Sequence, residues 1–437
     1  MSKKNVLLLL CLFLGIYSCK KDPPPDYPSV QISAPYPLAT FNVPASIQVT
    51  GHASDSKLLT SVSVYIANSQ NIAVEAPLQV PVTSSNMNIS CTYVLNDLHL
   101  PSGQYYMAIT VSNGTNISSA FQQIYIDGVP TKRTAIYAIT RNSAGVHAWG
   151  IDSAFQVSPA FSYTVSGDYS SSDINSYYQQ LYIAGHDSGN VNVYSVPTPA
   201  PGWTLTGSPS PSPYFTNVYC NKDVEYVSYY NSNLPNGEIK SYNHSGVIQA
   251  VYNTGPGYYP VKTYLWGNLL FTEEKSFSSS SESLLLFYQA TAAGYNQATL
   301  PGPVIAMYGQ DNTHIFVLGN KSAGGAYMLS YNITTNQFSS LISMPGGQLL
   351  SAAQIDGGDY LLSFNTGTVY YYSYNPNSIT PYLTNVMAST VRYDSIDNEV
   401  IIASGHTVNE YDYPNPSHVT TVVLSDSVRD VRILYNR

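Results

Sequence analysis

The chain has 437 residues, of which 10% are charged, and a formal net charge of −9. An average soluble protein has roughly 25% charged residues, so hydroxyl and amide groups supply much of the surface here. The length favours two domains over one. The acidic balance, with only 17 scattered Lys and Arg residues, argues against a nucleic-acid partner, and the uncharged polar surface favours an extracellular location.

The N-terminus has the pattern of a targeting segment. Two lysines precede an apolar run, residues 6–16, which is too short to span a bilayer and is typical of a signal peptide. The run ends in "IYSC" (16–19), which resembles a lipobox, although Tyr17 departs from the usual small residue. The resemblance implies a signal peptide at 1–18 and lipidation of Cys19. Ordinary signal cleavage, with the cysteine incidental, is the alternative.

The next residues predict an extended tether, 19–27, because "KKDPPPDYP" (20–28) is charged and then rich in proline. The lysines and aspartate after the cysteine resemble the surface-export signals of Bacteroidota lipoproteins. This resemblance implies an outer-membrane protein, anchored by lipid and exposed on the cell surface. Cys91 and Cys220 fall in different predicted domains, so we expect them to pack as small hydrophobic side chains rather than to form a disulfide or a metal site.

Residues 28–127 predict an antiparallel β-sandwich. Five segments alternate apolar and polar residues between turn signals: "SIQVTG" (46–51), "SVSVYIAN" (61–68), "ISCTYVL" (89–95), "YYMAITVSN" (105–113) and "FQQIYID" (121–127). The stretch from "GQYYMAITVSNG" to "FQQIYID" resembles the last two strands of immunoglobulin-like or polycystic-kidney-disease-type (PKD-like) modules. The resemblance implies a spacer or an interaction surface.

Residues 131–437 carry an internal repeat. An apolar residue, two residues of any kind and an aromatic recur seven times, in "VHAWG" (146–150), "VNVYS" (191–195), "IKSYN" (239–243), "LLFYQ" (285–289), "MLSYN" (328–332), "YYSYN" (371–375) and "VNEYD" (408–412). The aromatics are spaced by 45, 48, 46, 43, 43 and 37 residues. A second apolar strand precedes each copy. A period of about 40–50 residues with short strands predicts a seven-bladed β-propeller.

The repeated aromatic is predicted to be packing rather than a binding stripe. In each blade it would fill the gap between neighbouring sheets, with a tyrosine hydroxyl reaching water or the backbone. The phrase resembles the terminal dipeptide of WD repeats, but only Tyr411-Asp412 comes close and the Gly-His element is missing. The resemblance therefore implies the architecture and not membership of the WD-repeat family.

The two ends of the repeat region are complementary. The region begins at about residue 134 with a second strand that has no first strand before it, and "SVRDVRILYNR" (427–437) is a first strand with no second. We therefore predict that the C-terminal strand is the innermost strand of the blade that contains Trp149. Closure of this kind removes exposed sheet edges.

Motifs for metal or cofactor chemistry are weak. Eight histidines are dispersed without metal-ligand spacing, and "DSIDNE" (394–399) lacks the glycine and later glutamate of a calcium loop. We predict neither a metal nor a cofactor. Glu273 and Glu274 could supply half of a carboxylate pair for glycoside chemistry, but a charged strand end at a loop is the simpler interpretation.

A ligand-binding face is predicted where the loops between second and third strands meet. The candidates are expected to follow the second strands of six blades: Arg141, His186, Tyr230, Glu274, Lys321 and His406. Aromatic residues in the connections between blades form a second set: Tyr169, Trp203, Tyr214, Tyr258 and Tyr259. Rings could stack on sugar faces while polar groups bind hydroxyls. Solvated loop residues with no ligand are the alternative.

Two classes of function remain open from sequence. The first is a non-catalytic binding or scaffold protein that displays the propeller face to a glycan, peptide or protein partner. The layout resembles accessory lipoproteins of Bacteroidota nutrient-uptake systems. The second is an extracellular propeller enzyme, a glycosidase or lyase acting on polysaccharide. The fold cannot choose between them, and the missing catalytic motifs favour binding, with neutral glycans preferred over ionic ligands.

Overall fold

The structure is a computed structural model that describes residues 26–187, 189–207, 213–231 and 235–437. The predicted signal peptide, Cys19 and nearly all of the predicted tether lie outside these residues. The described residues form strands and connections, and they include no helix that is long and apolar enough to cross a membrane. The chain divides after Pro130 into two compact units.

The first unit is an immunoglobulin-like sandwich of two sheets. One sheet has three strands in the order β1-β3-β6, and the other has five in the order β2-β8-β7-β4-β5. The strands are β1 (Ser29–Ala34), β2 (Ala39–Asn42), β3 (Ala45–Ser54), β4 (Ser61–Ala67), β5 (Leu78–Val80), β6 (Asn86–Leu95), β7 (Gly103–Ser112) and β8 (Ile117–Asp127). All neighbouring pairs are antiparallel except β2 and β8, which run parallel.

Alternation along the strands builds the core of the sandwich. Successive side chains point to opposite sides of a sheet, so every second residue of β4 and β7 faces the other sheet. Val64 and Ile66 on β4, and Met107 and Ile109 on β7, are fully buried in this core. The five predicted strand segments of this region overlap β3, β4, β6, β7 and β8 and are therefore correct in position.

The second unit consists of seven four-stranded antiparallel sheets, the blades of a propeller. In chain order the strands are β9 (Arg133–Asn142), β10 (Gly145–Ile151), β11 (Tyr163–Val165), β12 (Ser171–Asn175), β13 (Gln180–Ala184), β14 (Val191–Ser195), β15 (Ala200–Leu205), β16 (Pro213–Cys220), β17 (Glu225–Asn231), β18 (Glu238–Tyr242), β19 (Ile248–Asn253), β20 (Tyr258–Trp266), β21 (Leu269–Ser276), β22 (Glu282–Tyr288), β23 (Gly294–Thr299), β24 (Val304–Gly309), β25 (His314–Asn320), β26 (Ala326–Asn332), β27 (Gln337–Ser340), β28 (Leu349–Gln354), β29 (Asp359–Phe364), β30 (Thr368–Ser373), β31 (Ser378–Thr384), β32 (Thr390–Asp394), β33 (Glu399–Ser404), β34 (Thr407–Asp412), β35 (His418–Val423) and β36 (Val428–Tyr435). Six blades each use four consecutive strands, from β12-β13-β14-β15 to β32-β33-β34-β35.

The seventh blade joins the two ends of the propeller. Its strand order is β11-β10-β9-β36, so the C-terminal strand pairs with the first strand of the repeat region. The register runs antiparallel from Val428 opposite Thr140 to Tyr435 opposite Arg133. Val431 and Leu434 of β36 are fully buried against the neighbouring blades. Backbone pairing with β9 and packing against the neighbouring blades therefore hold β36 along its whole length.

The repeated aromatics are packing residues only in part. Tyr331 is fully buried, and Tyr194 and Tyr411 are partly buried at the equivalent place, opposite the second residue of the preceding strand. Tyr288 and Tyr374, by contrast, are 41% and 40% exposed. The prediction that they belong to the core is wrong. In these two blades the repeated sequence pattern selected an aromatic that lies one or two residues after the buried one.

The buried aromatic of each of these two blades precedes the predicted one by one or two residues. Phe287 faces Leu270, the second residue of β21, and is 2% exposed. Tyr372 faces Tyr360, the second residue of β29, and is fully buried. In five of the seven blades an aromatic therefore lies opposite the second residue of the preceding strand. Runs such as "VYYYSY" offer several tyrosines that a sequence pattern cannot distinguish.

Deleting residues 427–437 should abolish the cooperative unfolding of the propeller, because β9 would lose its inner partner and the blade its buried seam. Differential scanning calorimetry of the truncated and intact proteins measures this. A sharp propeller transition at an unchanged temperature would show that closure is not required.

Candidate functional site: the central channel

The first strands of all seven blades surround a channel along the propeller axis. Its volume is about 680 Å³, and the strands that line it are β12, β16, β20, β24, β28, β32 and β36. Each of these strands is the innermost of its sheet, so one row of its alternating side chains faces the axis. Residues that lie far apart in the chain therefore meet in one cavity.

Hydrogen bonds from side chains join each inner strand to the next, and we call this ring of contacts the inner belt. Asp173 Oδ2 accepts from Cys220 N–H at 2.7 Å, and Thr216 Oγ1 donates to Pro260 O at 2.6 Å. Lys262 Nζ donates to Ile305 O at 2.9 Å. These three contacts join β12 to β16, β16 to β20 and β20 to β24.

The belt continues through the next three inner strands. Tyr308 Oη donates to Ala352 O at 2.7 Å, and Ser351 Oγ accepts from Val391 N–H at 3.1 Å. Arg392 Nε then donates to Val431 O of β36 at 3.0 Å. The partners of these six contacts are separated by 39 to 47 residues, which is the period of the sequence repeat.

The belt closes at Asp430 on β36. Its Oδ1 accepts from Arg392 Nη2 at 2.7 Å, and its Oδ2 accepts from Arg432 Nη2 at 2.7 Å and from Ser172 Oγ at 3.0 Å. Arg432 Nη1 also donates to Asp173 Oδ1 on β12 at 3.0 Å. Burial opposes ionisation of Asp430, but the two arginines outweigh it and lower its pKa. Asp430 is therefore held as a carboxylate between two cations.

The channel is positively charged in a protein of net charge −9. Its lining contains four basic residues, Lys262, Arg392, Arg429 and Arg432, and two acidic residues, Asp173 and Asp430. With all of them ionised the sum is 4 − 2 = +2. Burial lowers the pKa of Lys262, and if this residue is neutral the sum is 3 − 2 = +1. The summed charge of the channel lining is therefore positive whether Lys262 is charged or neutral.

Arg429 differs from the other channel cations. Its side chain is exposed at the start of β36, and within the described residues it takes no part in the hydrogen bonds that form the belt. Arg392 and Arg432 also keep unused donors, since a guanidinium has five N–H groups and each of these arginines uses only some of them in the belt. The channel therefore presents fixed N–H donors together with a cation that stands outside the belt.

The six predicted site residues share one face of the propeller but not the positions expected. Arg141, Tyr230 and Glu274 lie within their second strands, not after them, whereas His186, Lys321 and His406 lie in the connections as predicted. None of the six lines the channel. From the second predicted set, Tyr169 does line it, and its hydroxyl lies 3.4 Å from Asp430 Oδ2.

Glu274 is not available to a ligand. It is fully buried, its Oε1 accepts from Gln297 Nε2 at 2.5 Å, and its Oε2 accepts from Gly255 N–H at 3.4 Å. Tyr230 packs edge-on against Tyr259, with ring centres 4.6 Å apart, and against Phe277 at 5.0 Å. Of the predicted residues, Arg141, His186, Lys321 and His406 are exposed.

Among the described residues, two groups of side chains have the spacing of possible metal ligands, but their contacts are structural. Asp168, beside His186 and Asp187, accepts the backbone N–H groups of both residues and of Gly189. Its carboxylate therefore shapes the loop after β13.

The second group surrounds a buried guanidinium. Arg133 donates to Asp394 at 3.1 Å, to Glu399 at 2.7 Å and to Glu410 at 2.9 Å. Tyr435 Oη donates to the same Asp394 at 3.1 Å. Arg133 is thus the cation that these carboxylates share, and it binds β9 to the neighbouring blade.

The sequence signal for the channel was present but not recognised. "SSDIN", "VKTYLW", "TVRYD" and "VRDVRILY" place Asp173, Lys262, Arg392, Asp430 and Arg432 on first strands, where alternation directs one row of residues to the axis. The prediction looked for ligands in loops, and so it missed charged residues inside strands.

Comparison with known proteins gives one family model for the first unit and a set of similar solved structures. Residues 28–111 match the family model of a bacterial Ig domain. Among solved structures, apo AztD from Citrobacter koseri is similar at a TM-score of 0.47 and 10% identity, covering 69% of this chain and 98% of that one. The WD40 beta propeller domain of Doa1 is similar at a TM-score of 0.47 and 8% identity, covering 61% and 87%. No curated protein matches the chain. The chain is an all-β protein with an Ig-like sandwich and a seven-bladed propeller.

Folding stability should increase as the pH falls from about 8 to about 5. Burial raises the pKa of Glu225 to about 7 and also raises those of Glu273 and Glu410. A carboxyl group with a raised folded-state pKa contributes stability that is complete below its ordinary pKa of about 4.3 and is lost as the pH rises through the folded value. Urea denaturation across this range measures the slope.

Glu225→Gln should reduce this slope, because the neutral amide cannot ionise at high pH. Glu238→Gln is the matched control, since Glu238 is the partly exposed glutamate at the start of the adjacent strand β18, where it pairs with Lys240 at 3.0 Å. A Glu225→Gln protein with the slope of the wild type would contradict the assignment to burial.

Proposed function

We propose that this protein is a non-catalytic binding lipoprotein of the cell envelope and that its propeller channel receives a small ligand with an anionic group. The observation that carries the proposal is the excess of positive charge in the channel, +2 against −9 for the whole chain. A channel with this sign attracts anions and focuses them at its mouth. Acidic sugars and other carboxylates are the ligand class that fits.

The donors of the channel are fixed before any ligand arrives. Arg392 is held by two backbone carbonyls and by Asp430, and Arg432 by two carboxylates, so little side-chain entropy remains to be lost on binding. Guanidinium groups also bind carboxylates with two parallel hydrogen bonds, which gives direction as well as strength. This choice of ligand departs from the expectation of a neutral glycan at the propeller face.

Binding is favoured over catalysis by the contacts that both channel carboxylates make. Asp430 is ionised between two arginines, and Asp173 is committed to Arg432 and to the backbone of β16. Hydrolysis of a glycoside usually needs one carboxyl group that can donate a proton and a second that can act as a base or nucleophile. Both channel carboxylates are instead occupied by the inner belt.

The location proposed from the N-terminus fits such a role. A lipid on Cys19 would hold the protein at the outer membrane, and the proline-rich segment would keep the folded units away from the lipid surface. A surface protein that captures anionic fragments would serve as an accessory to nutrient uptake.

Arg429→Ser should weaken the binding of anionic ligands by about tenfold or more, because a charged hydrogen-bond donor is lost from the channel mouth. Isothermal titration calorimetry would compare galacturonate oligomers, inorganic phosphate and neutral gluco-oligosaccharides. Lys132→Ser, which removes an equal charge from an exposed residue outside the channel lining, is the matched control. Absence of binding by both anions, or equal binding in the Arg429→Ser protein, would refute the channel proposal.

Cys19→Ala should abolish lipid attachment, so the protein should be recovered in the soluble fraction or as the uncleaved precursor. Metabolic labelling with a fatty acid, followed by membrane fractionation, measures both effects. If the variant is labelled and sediments with membranes as the wild type does, the lipoprotein assignment is wrong.

A further inference from the structure

The outer surface of the five-stranded sheet carries a cluster of aromatic side chains that plays no part in the core of the sandwich. Tyr65 on β4, Tyr106 on β7, and Phe121 and Tyr125 on β8 alternate with core residues and therefore point away from the other sheet. We call these four residues the aromatic face. Phe121 is 43% exposed and Tyr125 is 46% exposed.

The register arranges these rings as a platform. Tyr65 and Phe121 lie on either side of Ala108 in one row, and Ala108 is fully buried although it points outward. The larger side chains around Ala108 therefore cover it. Tyr106 lies two residues before Ala108 on β7. Tyr125 lies on the adjacent strand β8, opposite Gln104, which is two residues before Tyr106. Tyr65, Tyr106 and Tyr125 thus form a diagonal across three strands, with steps of about 7–8 Å.

Hydroxyl and amide groups border the platform. Thr110 lies between Ser63 and Ser119 in the next row, and its Oγ1 is 2.7 Å from Ser119 Oγ and 3.3 Å from Tyr65 Oη. At the other side, Gln104 Nε2 donates to Tyr106 Oη at 2.9 Å. These groups form short networks with one another and keep free donors or acceptors toward solvent.

The face is almost uncharged. Among the outward-pointing residues of β2, β4, β5, β7 and β8, Asp127 at the end of β8 is the only one with a charge. Rings flanked by hydroxyls and amides, without ionic groups, complement a partner that has apolar C–H surfaces and neutral hydroxyls on the same unit. Sugar rings have both. A charged peptide or an anionic polymer would lose hydration here with no ion to replace it.

We propose that the aromatic face is a binding platform for a neutral polysaccharide chain. Sugar rings stack on Phe121 and Tyr125, and their hydroxyls bond to the adjacent Thr110, Ser119, Gln104 and Gln123. The site lies in the sandwich and its ligand is uncharged, so it is independent of the anion-binding channel.

The test is affinity electrophoresis of the purified protein in native gels that contain hydroxyethylcellulose, amylose or galactomannan, with polygalacturonate as the anionic arm. At least one neutral polymer should retard the wild-type protein. The double variant Phe121→Ala/Tyr125→Ala should weaken this retardation by about tenfold or more, since two stacking surfaces are removed.

Two control variants separate binding at the aromatic face from binding at another surface of the protein. Tyr36→Ala removes a tyrosine of the same domain that is 78% exposed and lies outside the face, and it should leave the retardation unchanged. Arg429→Ser should also leave it unchanged, which distinguishes a failure of this proposal from a failure of the channel proposal. Circular dichroism melting of the double variant checks that the sandwich remains folded.

Three outcomes would overturn the proposal: no retardation by any neutral polymer, retardation that survives in the folded double variant, or stronger retardation by polygalacturonate that the double variant loses. Sedimentation velocity adds a fourth. A wild-type dimer that the double variant converts to a monomer would show that the face binds a second copy of the chain instead.

Discussion

The propeller depends on one constraint, which is that seven sheets arranged in a ring must each be joined to two neighbours with no blade left at an end. The inner belt meets this requirement at the tightest part of the ring. Every inner strand gives at least one side chain to a hydrogen bond with the next, and the ends of the chain meet in the same belt at Asp430. Each neutral contact is worth only about 1 kcal/mol, and it adds to the apolar packing between neighbouring blades.

The closing contact has the strongest chemistry. Neutral hydroxyl groups are sufficient between several consecutive blades, where Thr216 and Tyr308 donate and Ser351 accepts. These groups join strands that the chain already keeps close. At the junction between β36 and β12 the partners are about 260 residues apart in sequence, and there Arg432 on β36 binds Asp173 on β12 as well as Asp430 on its own strand. Charge-assisted hydrogen bonds are roughly twice as strong as neutral ones, which suits the place where chain connectivity gives no help.

This structural use of charge also determines what a ligand meets. The belt engages Asp173 and Asp430, and Arg429 adds to the channel lining a cation that the belt does not use. The sandwich differs from the channel in its chemistry. The outward surface of its five-stranded sheet carries aromatic rings and hydroxyl groups and almost no charge. The two proposed ligands differ accordingly: an anionic group for the channel, and neutral sugar rings for the aromatic face.

The sequence alone determined the architecture, because strand alternation and a repeat of about 44 residues are local patterns that survive in a single chain. The unpaired strands at about 134 and 427–437 likewise indicated where the ring closes, and the structure pairs β36 with β9. Which tyrosine of "VYYYSY" is buried was decided by register, since Tyr372 and not Tyr374 faces the second residue of its neighbour.

The site was decided only by the tertiary structure. The residues of the channel come from seven strands spread over more than 260 positions, and no local pattern distinguishes Arg392 from any other charged residue on a strand. The convergence exists only after the ring has closed. The same holds for the aromatic face, whose rings come from three strands and become neighbours through pairing of β4, β7 and β8. Spacing along the chain records the period of a fold, whereas a binding surface is made by residues that the fold brings together across that period.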